Sequence, residues 1–141
     1  MNLDKLFDQL RSQFEREPYA TSMGIRLLEV EPGRSLVEMP LLEKMENIFR
    51  GPHGGAIFSV IDAAFEIAAN SYGTVAVALN MTITYTNPAS TGEVLRAEAK
   101  EVSKSRRIST YEISVRNEKG DLIAICVANA YRKKDTLPFL K

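Results

Sequence analysis

The chain has 141 residues, 45% of them hydrophobic and 26% charged, and its 18 basic side chains balance 18 acidic ones. That length suits one domain over residues 1–141, able to bury roughly two-thirds of the surface its unfolded form would expose. The lack of net charge argues against a nucleic-acid binder or a membrane-surface binder, since either needs a basic footprint. A single cysteine, Cys126, excludes a disulfide framework.

Leu3, Leu6, Phe7, Leu10 and Phe14 recur at helical spacing between Asn2 and Arg16, with Pro18 just beyond, so the chain opens on an amphipathic helix docked on a larger body. The same stretch has no continuous apolar core, so it reads as neither a signal peptide nor an anchor, and the expected location is cytoplasmic. Two short strands, Met23 to Val30 and Arg34 to Met39, flank a turn at Pro32-Gly33. After an irregular run from Leu41 to Pro52, a helix is predicted from about Gly54 to Ser71, apolar on nearly every side and ended by Gly73 as a left-handed cap. From Val75 to Tyr85 apolar residues alternate with Ala76, Ala78, Asn80, Thr82 and Thr84, which is the period of a long half-buried strand. Val94 to Val102, Ile108 to Arg116 and Leu122 to Tyr131 read as three more strands, with Cys126 a buried small hydrophobe in the last. One long apolar helix followed by four consecutive strands predicts an α+β fold, an antiparallel sheet wrapped over that helix.

The chemistry concentrates around the long helix. His53-Gly54-Gly55 opens it, offering free backbone amides at a helix start. Asp62 then stands as an isolated carboxylate among Ile57, Phe58, Ile61, Ala63, Ala64 and Phe65, where an unpaired charge is costly enough to suggest a role. Glu66 follows one turn later, on a stripe shared with Ser59, Asp62 and Asn70; as a like charge it would raise the proton affinity of Asp62. One histidine and one cysteine, far apart, give no metal-ligand cluster, and neither a glycine-rich phosphate loop nor a nucleophile elbow is present.

Asn47, His53-Gly54-Gly55, Asp62-Ala63-Ala64, Asn70-Ser71, and Tyr85-Thr86-Asn87-Pro88 followed by Gly92 occur together and in order. In this pattern the chain, from about Met23 to Tyr131, resembles the hotdog-fold acyl-CoA thioesterases, in particular their phenylacetate-degradation (PaaI-like) branch. The resemblance implies a curved antiparallel sheet around a central helix, dimers paired again into dimers of dimers, and hydrolysis of acyl-CoA without metal or cofactor, CoA being part of the substrate. It assigns the nucleophile or general base to Asp62 and carbonyl polarisation to the Gly54 amide. His53 and Asn47 match the polar residues that shape the loop beside the thioester. Asn80 stands where a Ser or Thr commonly helps to place the attacking water.

Asp62 lies eight residues after Gly54, roughly 12 Å along a helix, whereas both groups must approach one carbonyl within roughly 3 Å. Two antiparallel helices about a two-fold axis would bring Gly54 of one subunit to Asp62 of the other, so a shared site in a homodimer is expected. The phosphates of CoA need a local basic patch; Lys104, Arg106 and Arg107 are the first candidates, with Lys100 and Arg132 behind them, and Gly55 and Glu66 are further substrate-side candidates. Two rivals remain at this point. A hotdog hydratase or dehydratase would use a histidine with a carboxylate, and a non-catalytic acyl-CoA-binding regulatory module would bind thioesters without turnover.

Overall fold

The computed structural model describes residues 2–141. Leu3–Phe14 forms helix α1, and the Asn2 side chain accepts the Asp4 N–H at 2.8 Å, satisfying one of the amides a helix start leaves open. Leu6, Leu10 and Phe14 form its buried stripe. A short helix α2, Pro18–Ser22, follows, which the sequence pattern does not announce beyond Pro18 at its first turn. Strand β1 (Arg26–Glu31) therefore begins later than Met23, because Met23 caps α2 and Gly24 turns the chain at φ +70°. It pairs with β2 (Arg34–Pro40) across Gly33, whose φ of +73° closes the hairpin.

Helix α3 (Gly54–Asn70) and strands β3 (Thr74–Tyr85), β4 (Val94–Lys104), β5 (Ile108–Arg116) and β6 (Leu122–Thr136) complete the domain. All six strands join one antiparallel sheet in the order β1-β2-β4-β5-β6-β3. Strands β2 and β3, joined in sequence through α3, thus stand with three strands between them, and the sheet between them curls around the helix. Alanines make the close fit: Ala64 and Ala68 on α3 and Ala97, Ala99, Ala124 and Ala128 on the sheet are all fully buried. Small side chains on both surfaces let backbones approach, while Ile61, Tyr111 and Ile113 fill the remaining space. Each such large apolar side chain contributes about 1.5–3 kcal/mol on burial. Asn70 closes the helix onto the sheet, its Oδ1 accepting the Ala76 N–H at 2.9 Å, and Gly73 takes the predicted left-handed turn at φ +86°.

Strand β3 departs from the simple alternation. A bulge between Ala78 and Asn80 switches the faces, so Met81 and Ile83 pack on the core whereas Val77 and Leu79 are exposed. Strand β6 runs on past Tyr131 to pair Thr136 with Thr74. Beyond it Leu137 and a 3-10 turn, Pro138–Leu140, pack against Leu6 and Leu10 of α1. No helix among the described residues is long and apolar enough to cross a membrane.

Candidate functional site

The start of α3 is built by its own loop. His53 is the N-cap, and its Nδ1 accepts the Gly55 N–H at 2.8 Å, which leaves Nε2 as the nitrogen carrying the proton when the ring is neutral. The expected free amide at Gly55 is therefore occupied, and a Cβ at that position would meet His53 Nδ1 at 3.0 Å. The Gly54 N–H, by contrast, donates to no protein group among the described residues and points out of the helix tip with its dipole. Tyr85, at the end of β3, packs its ring against Gly54 and donates its hydroxyl to the Gly54 carbonyl at 3.1 Å. On the other flank the Tyr19 hydroxyl lies 2.6 Å from Ser59 Oγ, which donates to the Gly55 carbonyl at 2.8 Å. Two aromatic hydroxyls thus brace the first turn from opposite sides.

Asn47 shapes the loop before the tip. Its Oδ1 accepts the N–H groups of Phe49 (2.9 Å) and Gly51 (3.1 Å) and its Nδ2 donates to the Pro52 carbonyl at 3.5 Å, so both ends of the side chain serve the turn beside the neighbouring cleft. In the same loop Arg50 adopts φ +62°, and Ile48 and Phe49 stand 91% and 83% exposed.

Asp62 is half-buried on the one stripe of α3 that the sheet leaves uncovered, with Gly55 and Phe58 before it and Glu66 and Asn70 after it. Ser59 sits off that stripe and is buried against Tyr19. Burial raises the Asp62 carboxyl above the usual carboxylate range, and the Glu17 carboxylate, from the α1–α2 junction, raises it further. Glu66 keeps solvent contact, yet it is pushed up to about 9, first by desolvation against α1 and α3, then by Glu17 and Asp62. Glu66 therefore holds its proton more tightly than an ordinary carboxyl, with burial as the first cause and Glu17 as the second. Cys126, under the sheet near Asp62, is pushed up to about 11 by burial and stays a thiol.

Asn80 does not join this group. It accepts from Asn129 Nδ2 at 2.9 Å, Asn129 in turn accepts from Thr110 Oγ1 at 2.6 Å, and all three lie on the outer face of the sheet, between the core-facing Ala128 and Ala130. Next to the core-packed Met81, Asn80 faces away from α3, as alternation alone would have it; Thr82 shares that outer face, and the bulge instead flips the earlier half of β3, where Ala78 pairs with the core-facing Ala130. The water-placing role expected of Asn80 has no geometric support.

Lys104 ends β4 and Arg106 and Arg107 lie in the turn to β5, at the far end of α3 from His53, roughly 25 Å away for a helix of this length. Lys104 Nζ sits 3.6 Å above the Tyr72 ring and the Arg132 guanidinium 5.7 Å from the same ring. Tyr72 is fixed because its hydroxyl and that of Tyr111 both donate to Glu101 at 2.9 Å, which pushes Tyr72 up to about 12 through burial and that carboxylate. Arg132 also ties the turn together through the carbonyls of Ser105 and Arg106. Lys100 is set apart, paired with Glu98 at 3.2 Å. Among the described residues no group of three or more His, Cys, Asp or Glu could hold a metal ion.

The chain belongs to the thioesterase superfamily, whose family model matches residues 52–124. A relative from Archaeoglobus fulgidus, provisionally assigned as an esterase, is 41% identical over 82% of this chain and 75% of its own length. The acyl-coenzyme A thioesterase PaaI of Escherichia coli is 29% identical over 94% of this chain and 95% of its own. The solved structure of E. coli PaaI, from the phenylacetic acid degradation operon, superposes with a TM-score of 0.90 at 28% identity, covering 94% of this chain and 96% of that one. The phenylacetic acid degradation protein PaaI of Thermus thermophilus, solved as a point mutant, gives 0.80 at 32% identity, covering 83% and 100%. The PaaI-like resemblance read from the motifs is borne out, and with it the hotdog fold.

Proposed function

We propose that this protein hydrolyses acyl-CoA thioesters to the free acid and CoA, in two equivalent sites shared across a homodimer. The observation that carries this reading is the pairing of an open Gly54 amide with Asp62 on the uncovered stripe of the same helix, too far apart to meet within one chain. In the proposed dimer two α3 helices run antiparallel with Gly54 level with Asp62 of the partner, and Phe58, 40% exposed, falls on the axis. The Gly54 amide then stabilises the oxyanion that forms as the thioester carbonyl is attacked. An ionised Asp62 serves as base or nucleophile; on the base route it takes a proton from water, the C–S bond breaks, and that proton is available to the leaving thiolate. The same antiparallel arrangement carries the Lys104, Arg106, Arg107 and Arg132 end of one chain towards the helix tip of the other, where the CoA phosphates would need it.

The edge of β3 supports the dimer, since this twelve-residue strand has a neighbour on one side only. Val77, Tyr131 and Ile108 lie side by side on the outer sheet face and are exposed, a surface suited to pairing dimers into a dimer of dimers. This reading involves no metal or added cofactor and places the enzyme in the cytoplasm. With Nδ1 of His53 held by the Gly55 N–H, a hydratase reading would have to work through Nε2 alone.

Free-thiol release from a panel of acyl-CoA substrates tests the proposal with wild type and Asp62→Asn. Expected is turnover by the wild type and a loss of at least a hundredfold in the variant, with oligomeric state unchanged. Tight acyl-CoA binding without thiol release by the wild type would instead favour a regulatory module.

A further inference from the structure

No step of the proposed hydrolysis uses the strand-end run Tyr85-Thr86-Asn87-Pro88. The two-residue period of β3 puts Tyr85 on the same face as Met81 and Ile83, which pack on the core, and opposite the buried Ala124 of β6. The chain after it is pinned. The Thr86 N–H donates to the Ile123 carbonyl at 2.9 Å, and the Thr86 hydroxyl and the Asn87 amide both donate to the Leu122 carbonyl, at 2.6 and 2.7 Å. Tyr85 is therefore carried on a fixed sheet end, and its ring reaches past the core to the start of α3, in the cleft that Asn47, Gly54 and Ile57 also line.

Gly54 is the loose point of the helix tip. A Cβ there would meet the Tyr85 ring at 3.5 Å, an ordinary contact, so the chain has room for a side chain at this position. What glycine brings instead is backbone freedom, beside a second glycine and in a first turn, where helices fray. Such freedom works against an amide that must face one oxyanion, because the stabilisation depends on donors already aimed. The Gly54–Gly55 peptide is nevertheless held at both ends: the Tyr85 hydroxyl donates to its carbonyl at 3.1 Å, and its N–H donates to His53 Nδ1 at 2.8 Å. On the other side of the Gly54 Cα, the His53 carbonyl accepts the Ala56 N–H at 2.9 Å. With both flanking peptides anchored, the Gly54 N–H has one direction. Of these anchors, only the Tyr85 hydroxyl comes from outside the helix and its cap.

We propose that Tyr85 is a positioning residue: its hydroxyl, borne by the sheet, fixes the Gly54–Gly55 peptide and so keeps the Gly54 amide aimed at the oxyanion. The role rests on the hydrolase reading of Gly54, and the hydroxyl acts through the backbone rather than on the substrate. Removing it leaves the amide in place but less often aligned. The cost falls on kcat, because an interaction that strengthens as charge gathers on the oxygen is realised in the transition state and not in the bound substrate. It should also be smaller than the roughly 10²–10³-fold lost when an oxyanion donor itself is removed.

The test compares the wild type with Tyr85→Phe, which keeps the ring and removes the donor, and with 4-aminophenylalanine at position 85, which restores an N–H donor on the same ring. Thiol release is followed with whichever acyl-CoA of a panel the wild type turns over best. Expected is a kcat about tenfold lower in Tyr85→Phe at a KM within about twofold of wild type, and recovery to within about threefold of wild type with 4-aminophenylalanine. A Tyr85→Phe kcat within about twofold of wild type, a loss that 4-aminophenylalanine does not recover, or a change confined to KM would overturn the proposal. Amide hydrogen exchange by NMR gives a second reading in the free protein, independent of turnover. The Gly55 N–H should exchange at least about fivefold faster in Tyr85→Phe while that of Ile61, in the middle of α3, is unchanged. An unaltered Gly55 rate, or an equal acceleration at both residues, would overturn the clamp. If the wild type releases no thiol from any acyl-CoA, the hydrolase reading fails by itself, and the exchange rates alone then decide whether Tyr85 holds the tip.

Discussion

Glu17 acts on the candidate site from a distant part of the sequence, adding to the effect of burial on Asp62. Its carboxylate disfavours a second negative charge on Asp62, so Glu17→Gln should make Asp62 ionise more easily. The acid limb of the kcat/KM profile should therefore move to lower pH, and a limb that stays in place would separate Glu17 from the chemistry. Glu66 carries the matching stability prediction. A carboxyl raised from 4.5 to about 9 on folding holds more protons in the native state than in the unfolded one across that window, so stability falls as pH rises through it. Glu66→Gln should relieve this by about 1 kcal/mol at pH 8 after discounting for solvent contact, with no gain near pH 4, read from urea denaturation at the two pH values. Asp62 is legible in the sequence because the residues directly beside it, Val60, Ile61, Ala63, Ala64 and Phe65, are apolar. Glu17 is not, because only folding of α1 and α2 carries it to the helix stripe, and no spacing rule links it to Asp62.

At the scale of the element, α3 depends on the way it begins. His53 satisfies the Gly55 amide, so His53→Ala should cost about 1 kcal/mol and lower the midpoint of thermal unfolding by about 3 °C, whereas His53→Asn, which can still cap, should recover most of the loss. A melt in which both variants fall equally would assign the effect to contacts other than the cap. The helix itself is legible from its apolar run, its glycine start and Gly73. Strand β3 shows where periodicity misleads: an unbroken alternation in the sequence conceals the bulge at Leu79, and that single extra residue puts Val77 outside and turns Ala76 towards the core. The end of β6 is hidden for a different reason, since Arg132 to Asp135 are polar residues whose strand geometry comes from pairing with β3 and from the clamp of Arg132 on the β4–β5 turn. Helix α2 is too short to build a periodic signal.

For the molecule as a whole, the envelope around α3 is legible because a helix apolar over most of its circumference must be enclosed on those sides. The order of the strands is not, since pairing β2 with β4 and β3 with β6 skips over sequence neighbours, and local pattern contains no record of such crossings. The proposed dimer makes a prediction at this scale. A Gly54→Pro chain, which lacks the tip amide, and an Asp62→Asn chain should each be inactive alone. After subunit exchange a mixed dimer should regain one intact site, so an equimolar mixture should recover roughly a quarter of wild-type activity. Mixtures that exchange subunits, verified by mass, and stay inactive would remove the shared site.

One helix presents its open amide at one end and its carboxyl eight residues along, and this single arrangement fixes how turnover responds to dilution. On the proposed reading a lone chain owns two half-sockets and no working one. Below the dissociation constant the rate should grow with the square of the chain concentration, so the cell's output would be throttled by synthesis of the polypeptide more steeply than for an enzyme complete in one copy.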